Sequence, residues 1–198
     1  MTFLLSEDLA LRVRLQGMTV HDQKADGSVA GSRPVGVFYA MPDQELRQQT
    51  YPYMTIEMID VQKDSQREMR GTTDAAYLIP EGTVLGENQE FLTDLPIPVN
   101  IDYQITTFAR HPLHDREIVS QLLHKKLPFR FGYLELNDGT VRRLDVMDVS
   151  KRDTVEQGKR LFMNVVTVRV SSEIASVDYV TLHKVLTVDV VTHEKTSA

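Results

Sequence analysis

The hydrophobic period of the chain changes abruptly between Asn100 and Lys126, and that change constrains the fold more than any other feature. From Asn100 to Ala109, Ile101, Tyr103, Ile105 and Thr107 alternate with Asp102, Gln104, Thr106 and Phe108. This is the period-two signature of a strand with two unlike faces. From Asp115 to Lys125, Ile118 and Leu122 recur at helical spacing with Val119 and Leu123 beside them. His114 or Asp115 is placed to cap that helix. Asp115 and Glu117 suit the positive end of its dipole, Lys125 and Lys126 its negative end, and Pro128 stops it. A strand that passes into a helix through so short a connection lays the helix back on its own sheet, which predicts an α+β architecture.

The remaining pattern adds strands to that sheet. Tyr53 to Val61 alternates, as does the long stretch from Val177 to Val191, and Leu161 to Val170 is β-branched throughout. Phe131 to Asn137 and Val141 to Val149 flank Asn137-Asp138-Gly139-Thr140, where Asp-Gly supplies the positive φ angles of a tight hairpin. Residues 21–36 are polar and turn-rich and read as a loop or wide hairpin, followed by a short apolar piece from Val35 to Ala40 and a connector from Pro42 to Pro52. At the start, Ser6 is a candidate cap for a helix with Glu7 and Asp8 in its first turn. Leu5, Leu9 and Val13 form one stripe of it, Leu11 and Leu15 a neighbouring one, and Gly17 ends it. The expectation is a single domain over 1–198 with one mixed or antiparallel sheet of five to six strands. One main helix packs on a face, and the N-terminal helix lies on that face or at its edge. Residues 62–98 have no clear period and read as an inserted loop or arm, because patternless connections longer than roughly 15 residues are uncommon in compact domains.

Composition narrows the chemistry. The 198 residues contain no Cys, which removes disulfides, a cysteine nucleophile and thiolate metal sites. No apolar run approaches the length of a membrane span, and Met1 to Asp8 lacks the basic start of a signal peptide. There are 22 Lys and Arg against 28 Asp and Glu, a net charge of -6 that disfavours wrapping nucleic acid through its phosphates. The imbalance is regional. From Gly71 through Ala109 there is no Lys or Arg, while Asp74, Glu81, Glu87, Glu90, Asp94 and Asp102 are acidic, which leaves the rest of the chain with 22 charges of each sign. The segment reads either as an acidic arm that lines a channel or docks on a basic partner, with the apolar spots at Tyr77-Leu78-Ile79-Pro80 and Phe91-Leu92 buried on another chain, or as a solvated loop.

No motif declares an active site. His111-Pro112-Leu113-His114-Asp115 is the one local cluster of metal-ligand types, and its alternative reading is a strand-to-helix turn with a capping acid. There is no Gly-x-Ser-x-Gly elbow, and Gly82-Thr83-Val84-Leu85-Gly86 lacks the Lys and hydroxyl residue of a phosphate loop. The doublets Arg142-Arg143, Lys151-Arg152 and Lys159-Arg160 have acids nearby and read as solvated surface or as inter-subunit ion pairs.

Pro98-Val99-Asn100-Ile101-Asp102-Tyr103-Gln104-Ile105-Thr106-Thr107-Phe108-Ala109-Arg110, the Asp115–Leu123 helix and Leu127-Pro128-Phe129 together resemble a known pattern. It is that of the tail terminator and neck proteins of long-tailed bacteriophages. Val37-Phe38-Tyr39-Ala40-Met41-Pro42 and Tyr51-Pro52-Tyr53-Met54-Thr55-Ile56-Glu57 are similar to the lead into the first central strand of that family. The resemblance implies a non-enzymatic virion protein, made in the host cytoplasm. It would form a ring, usually a hexamer, that caps the tail tube and meets the head–tail connector while DNA passes through the lumen without specific binding. No cofactor, metal or membrane is implied. This chain departs from the pattern in a shorter first helix and in the extra 62–98 segment and long C-terminal strands. Another head–tail or baseplate adaptor fits the same pattern, and a small metal-dependent hydrolase using His111, His114 and Asp115 is the rival from outside it. The expected interface comprises Asp74, Tyr77, Leu78, Glu81, Glu87, Glu90, Phe91 and Asp94 on the acidic segment, with Arg142 and Arg143.

Overall fold

In the computed structural model the first element is α1 (Leu5–Leu15), preceded by Leu4, whose N–H donates to the Glu7 carboxylate at 3.0 Å. A two-stranded antiparallel hairpin follows, β1 (Thr19–Gln23) with β2 (Val29–Pro34), and then β3 (Gly36–Tyr39) and β4 (Tyr53–Lys63), which pair parallel. Next come β5 (Thr72–Thr73), β6 (Gln89–Asp94) and β7 (Ile97–Ala109). Helix α2 (Pro112–Gln121) continues into one π-type turn, Leu122–Lys126. The chain then forms β8 (Tyr133–Glu135), β9 (Val141–Lys151), β10 (Thr154–Glu156), β11 (Lys159–Ile174) and β12 (Tyr179–His183). The residues described are 3–23, 27–40, 50–73, 89–156, 158–174 and 179–183.

Two compact units result, Met1–Ser65 with Pro98–Glu173, and Gln66–Ile97 with Ile174–Ala198. The first holds a seven-stranded mixed sheet in the order β3-β4-β7-β11-β9-β8, with β10 paired to β11. The sheet is larger than the five to six strands expected, because short β3 and β10 add to its longer members. β4 and β7 pair antiparallel, Tyr53 opposite Phe108 and Ile56 opposite Ile105, with an irregularity between Met58 and Asp60. β7 and β11 also run antiparallel: Asn164 meets Thr107, Arg169 meets Asp102 and Ser171 meets Asn100, so one strand's numbers rise as the other's fall. The second unit carries a three-stranded antiparallel sheet, β12-β6-β5. Of the expected 177–191 strand, 179–183 is β12; 184–191 lies outside the described residues.

Both helices lie on one face of the first unit's sheet, over the odd-numbered side of β7, where Val99, Ile101, Tyr103, Ile105 and Ala109 are buried. Helix α2 places Ile118 and Leu122 in the core as its period predicts. Its cap lies three residues before the earlier of the two expected: His111, not His114 or Asp115, accepts from the Leu113 N–H through Nδ1 at 3.3 Å, with Pro112 at the first helical position. Asp115 instead turns inward, accepting from the Asn164 amide and from Lys151 Nζ at 2.8 Å, and Asn164 also reaches Thr107 at 3.3 Å. Helix α1 corrects the expected stripe in the same way. Leu5 and Val13 are exposed, while Ala10, Leu11 and Leu15 are buried together with Glu7, whose carboxylate accepts from the buried Ser172 hydroxyl. Asp8 accepts from Tyr103 Oη at 2.7 Å, and burial with this bond to a carboxylate pushes the phenol pKa far up.

Replacing Asp115 by Ala strands the buried Asn164 amide and should lower unfolding stability by about 1–3 kcal/mol. Adding Asn164→Leu should recover part of that loss, because the amide stranded by it is then gone. Urea unfolding of the two single variants and the double variant checks this; additive losses would contradict the pairing.

Candidate functional site

The helix-free face of the first unit's sheet is polar along its length and aromatic at one end. At that end Tyr53 stacks on Phe108 at 4.8 Å between centroids, Phe38 meets Tyr53 edge-on at 6.2 Å, and Tyr51 lies 5.2 Å from Tyr53. Arg110 lies over the Tyr51 ring at 4.7 Å and pairs with Glu156, which also accepts from Tyr51 Oη at 3.1 Å. Burial first, and then the bond to Glu156, raises the Tyr51 pKa, so this hydroxyl is a donor and not a base. Further along, Thr55 faces Thr106, Glu57 faces Gln104, and Asp60 faces Asp102. Two like charges opposite each other are unfavourable. Arg169 resolves this pair by a bidentate bond to Asp102, 2.7 Å at each nitrogen. That bond chiefly, with the fields of Asp102, Asp60 and Asp64, holds the guanidinium more firmly protonated.

The histidines of the His111–Asp115 segment serve the hairpin and the helix start. His114 Nε2 lies 3.1 Å from Asp22, which Arg33 engages at 2.7 Å, tying β1 and β2 together and to α2. Glu117 accepts from the His21 N–H at 2.7 Å and lies 3.4 Å from its Nδ1, while Gln121 donates to the Thr19 carbonyl at 2.6 Å. Each ligand-type residue of the segment therefore has a structural partner. Among the described residues no group of three or more His, Asp or Glu is arranged to hold a metal ion.

A second surface lies beyond the π-type turn. Gly132 approaches β9 so closely that a Cβ there would sit 2.3 Å from the Leu144 carbonyl oxygen, and its own carbonyl accepts from the Leu144 N–H at 3.0 Å. The residue before it, Phe131, takes a left-handed φ of 58°, which side chains other than glycine rarely adopt. The residue is 94% exposed, and Phe129 is 61% exposed. With Arg130, Gly132, Arg143 and Asp145 they line an open cleft of about 550 Å³. Neither phenylalanine was expected at an interface: Phe129 belongs to the pattern that carries the resemblance, and Phe131 reads as the first residue of a strand that in the structure begins at Tyr133.

The residues expected at an interface fall in different places. Asp94 ends β6 and is exposed; Glu90 and Phe91 lie within β6. Asp74, Tyr77, Leu78, Glu81 and Glu87 lie outside the described residues. Arg142 is largely withdrawn, its side chain 17% exposed and 3.2 Å from Glu173. Arg143 is 74% exposed beside Asp145 at 2.7 Å and opens onto the Phe131 cleft. The other doublets find acids in the same chain: Arg160 pairs with Asp153 at 2.8 Å, and Lys151 with Asp115.

No protein-family model matches the chain, and no curated sequence does. Among solved structures it is similar to the sheath/tube terminator, in the extended state, of an extracellular contractile injection system, with a TM-score of 0.56 at 12% identity. The likeness covers 99% of this chain and 65% of that one, so this chain spans under two thirds of the terminator's length. At this identity the shared property is the fold, which is terminator-like.

Arg33 chiefly holds the Asp22 carboxyl below its ordinary value of 3.8, against the opposing effect of desolvation, and His114 adds to the lowering. A depressed carboxyl contributes stability above its unfolded pKa and loses it as pH falls through the folded value. The β1–β2 hairpin should therefore loosen below about pH 3.8, before the sheet does. Two-dimensional NMR of Val20 to Asp22 across that range tests this. Hairpin shifts that stay fixed until the whole unit unfolds would contradict it.

Proposed function

We propose that this protein is a structural, non-enzymatic subunit that closes into a ring at the end of a tail tube, as a tail terminator. The observation that carries the reading is the terminator-like fold over 99% of the chain. Two further features support it. The exposed aromatics of the 129–132 loop and the acidic, partly apolar 74–94 segment are unlike each other, and a ring needs two different surfaces that meet head to tail. The polar residues around the cleft and on the helix-free sheet face are largely held by ion pairs and hydrogen bonds within the chain, which suits a scaffold more than a catalyst.

On this reading the ring is a hexamer that caps the tube, joins it to a head connector in a phage virion, and passes DNA without specific contacts. A net charge of -6 disfavours a tight grip on phosphates. A second reading is favoured by the source of the structural neighbour. The same ring would end the tube and sheath of an extracellular contractile injection system, with no head to join. Both share the ring and differ in the partner beyond it.

Light scattering after size exclusion should give a mass several-fold above the 22.6 kDa of one chain, six-fold for a hexamer. A monomer at every concentration, including in the presence of tube protein, would sink the reading.

A further inference from the structure

We propose that the Phe129–Gly132 loop with Arg143 is the socket that receives the acidic 74–94 segment of a second copy of this chain. The inference rests on the ring reading and names the two surfaces that would close it.

The socket is a fixed projection. The close approach of Gly132 to Leu144 leaves no room for a side chain there and pins the chain to β9. With Gly132 pinned, the Phe131 backbone is held at φ 58° and its ring points into solvent. Strained backbone of this kind persists only where the surroundings enforce it, and it concentrates at functional positions. The two exposed phenylalanines with arginines between and beside them have the composition of an interface centre, where aromatic residues and Arg are enriched. The base of the loop is also stiff. Leu127 is buried, Arg14 donates to the Lys126 carbonyl at 2.7 Å and stacks over Tyr133 at 4.7 Å, and Lys126 donates to the Gln16 carbonyl at 2.7 Å.

Charge selects the occupant. Residues 124–145 carry five Lys or Arg (Lys125, Lys126, Arg130, Arg142, Arg143) against three acids, Glu135, Asp138 and Asp145, the last of them paired with Arg143. Residues 74–94 carry Asp74, Glu81, Glu87, Glu90 and Asp94 with no base, and interleave Tyr77, Leu78, Ile79 and Phe91 with them. An acidic segment with apolar anchors is the complement of a basic loop with exposed rings. Because the two surfaces differ, the contact can pass head to tail from copy to copy, and it builds a ring where the rotation closes.

The chain has no cysteine, so engineered thiols report one contact at a time. Full-length Phe131→Cys and full-length Leu78→Cys are mixed and oxidised. A two-chain band is expected in the mixture and from neither variant alone, and none when Val155→Cys, an exposed residue on β10, replaces Phe131→Cys. Arg130→Glu with Arg143→Glu should reduce the ring fraction several-fold, and Glu81→Arg with Glu87→Arg on the same chain should restore it. A band from Phe131→Cys alone, meaning the loop meets itself, overturns the proposal, as does an internal cross-link within a chain carrying both thiols. Absence of the mixed band while the wild type keeps its ring mass overturns the socket and leaves the ring. A mixed band from a wild type that stays monomeric keeps the docking pair and overturns ring closure.

Discussion

Both helices are held to the two central strands by carboxylates, Glu7 and Asp115 buried and Asp8 half-buried, and the arrangement of the first unit depends on this. Glu7 and Asp8 of α1 bond to Ser172 of β11 and Tyr103 of β7, and Asp115 of α2 bonds to Asn164 of β11. A buried carboxylate without partners is costly, and one fully bonded fixes the position of the element that carries it. Apolar packing alone permits a helix to slide along a sheet. These three bonds set where each helix sits along β7 and β11, and through α2 they set the β1–β2 hairpin that His114 and Glu117 hold.

With both helices committed to one face, the other face satisfies its polar groups from within. Arg169 keeps Asp102 and Asp60 compatible, and Arg110 links Glu156 to the aromatic end. Among the described residues, groups available to a partner include those of the Phe129–Gly132 loop, where apolar rings and an exposed arginine face solvent. This division between internally paired polar surface and externally offered aromatic surface is what a subunit of an assembly requires, and it is the physical ground for reading the terminator-like fold as a ring component.

The strand-to-helix core was legible because its period is local: Ile101 to Thr107 and Ile118 to Leu122 occupy the buried positions their spacing predicts. The Asp138-Gly139 hairpin was legible for the same reason, with Gly139 at φ 79° and Asp138 accepting from the Thr140 N–H at 2.8 Å. The buried face of α1 was not, because the reading followed apolar residues and the face is set by Glu7, whose partner is 165 residues away. Asp115 misled similarly: its place in the first turn suits a dipole partner, and only the fold brings Asn164 beneath it. The Phe131 projection was hidden because its cause, the approach of Gly132 to Leu144, is tertiary. Charge bias along the sequence singles out the acidic segment and Arg143 as an expected interface and leaves out the phenylalanines beside that arginine.

The central claim is a closed ring made by one repeated head-to-tail contact. Top-view class averages of the purified full-length protein by electron microscopy test it most directly. The account predicts closed rings of a single rotational order with an open centre. Two-fold dimers, open filaments, or particles no larger than one chain would contradict it.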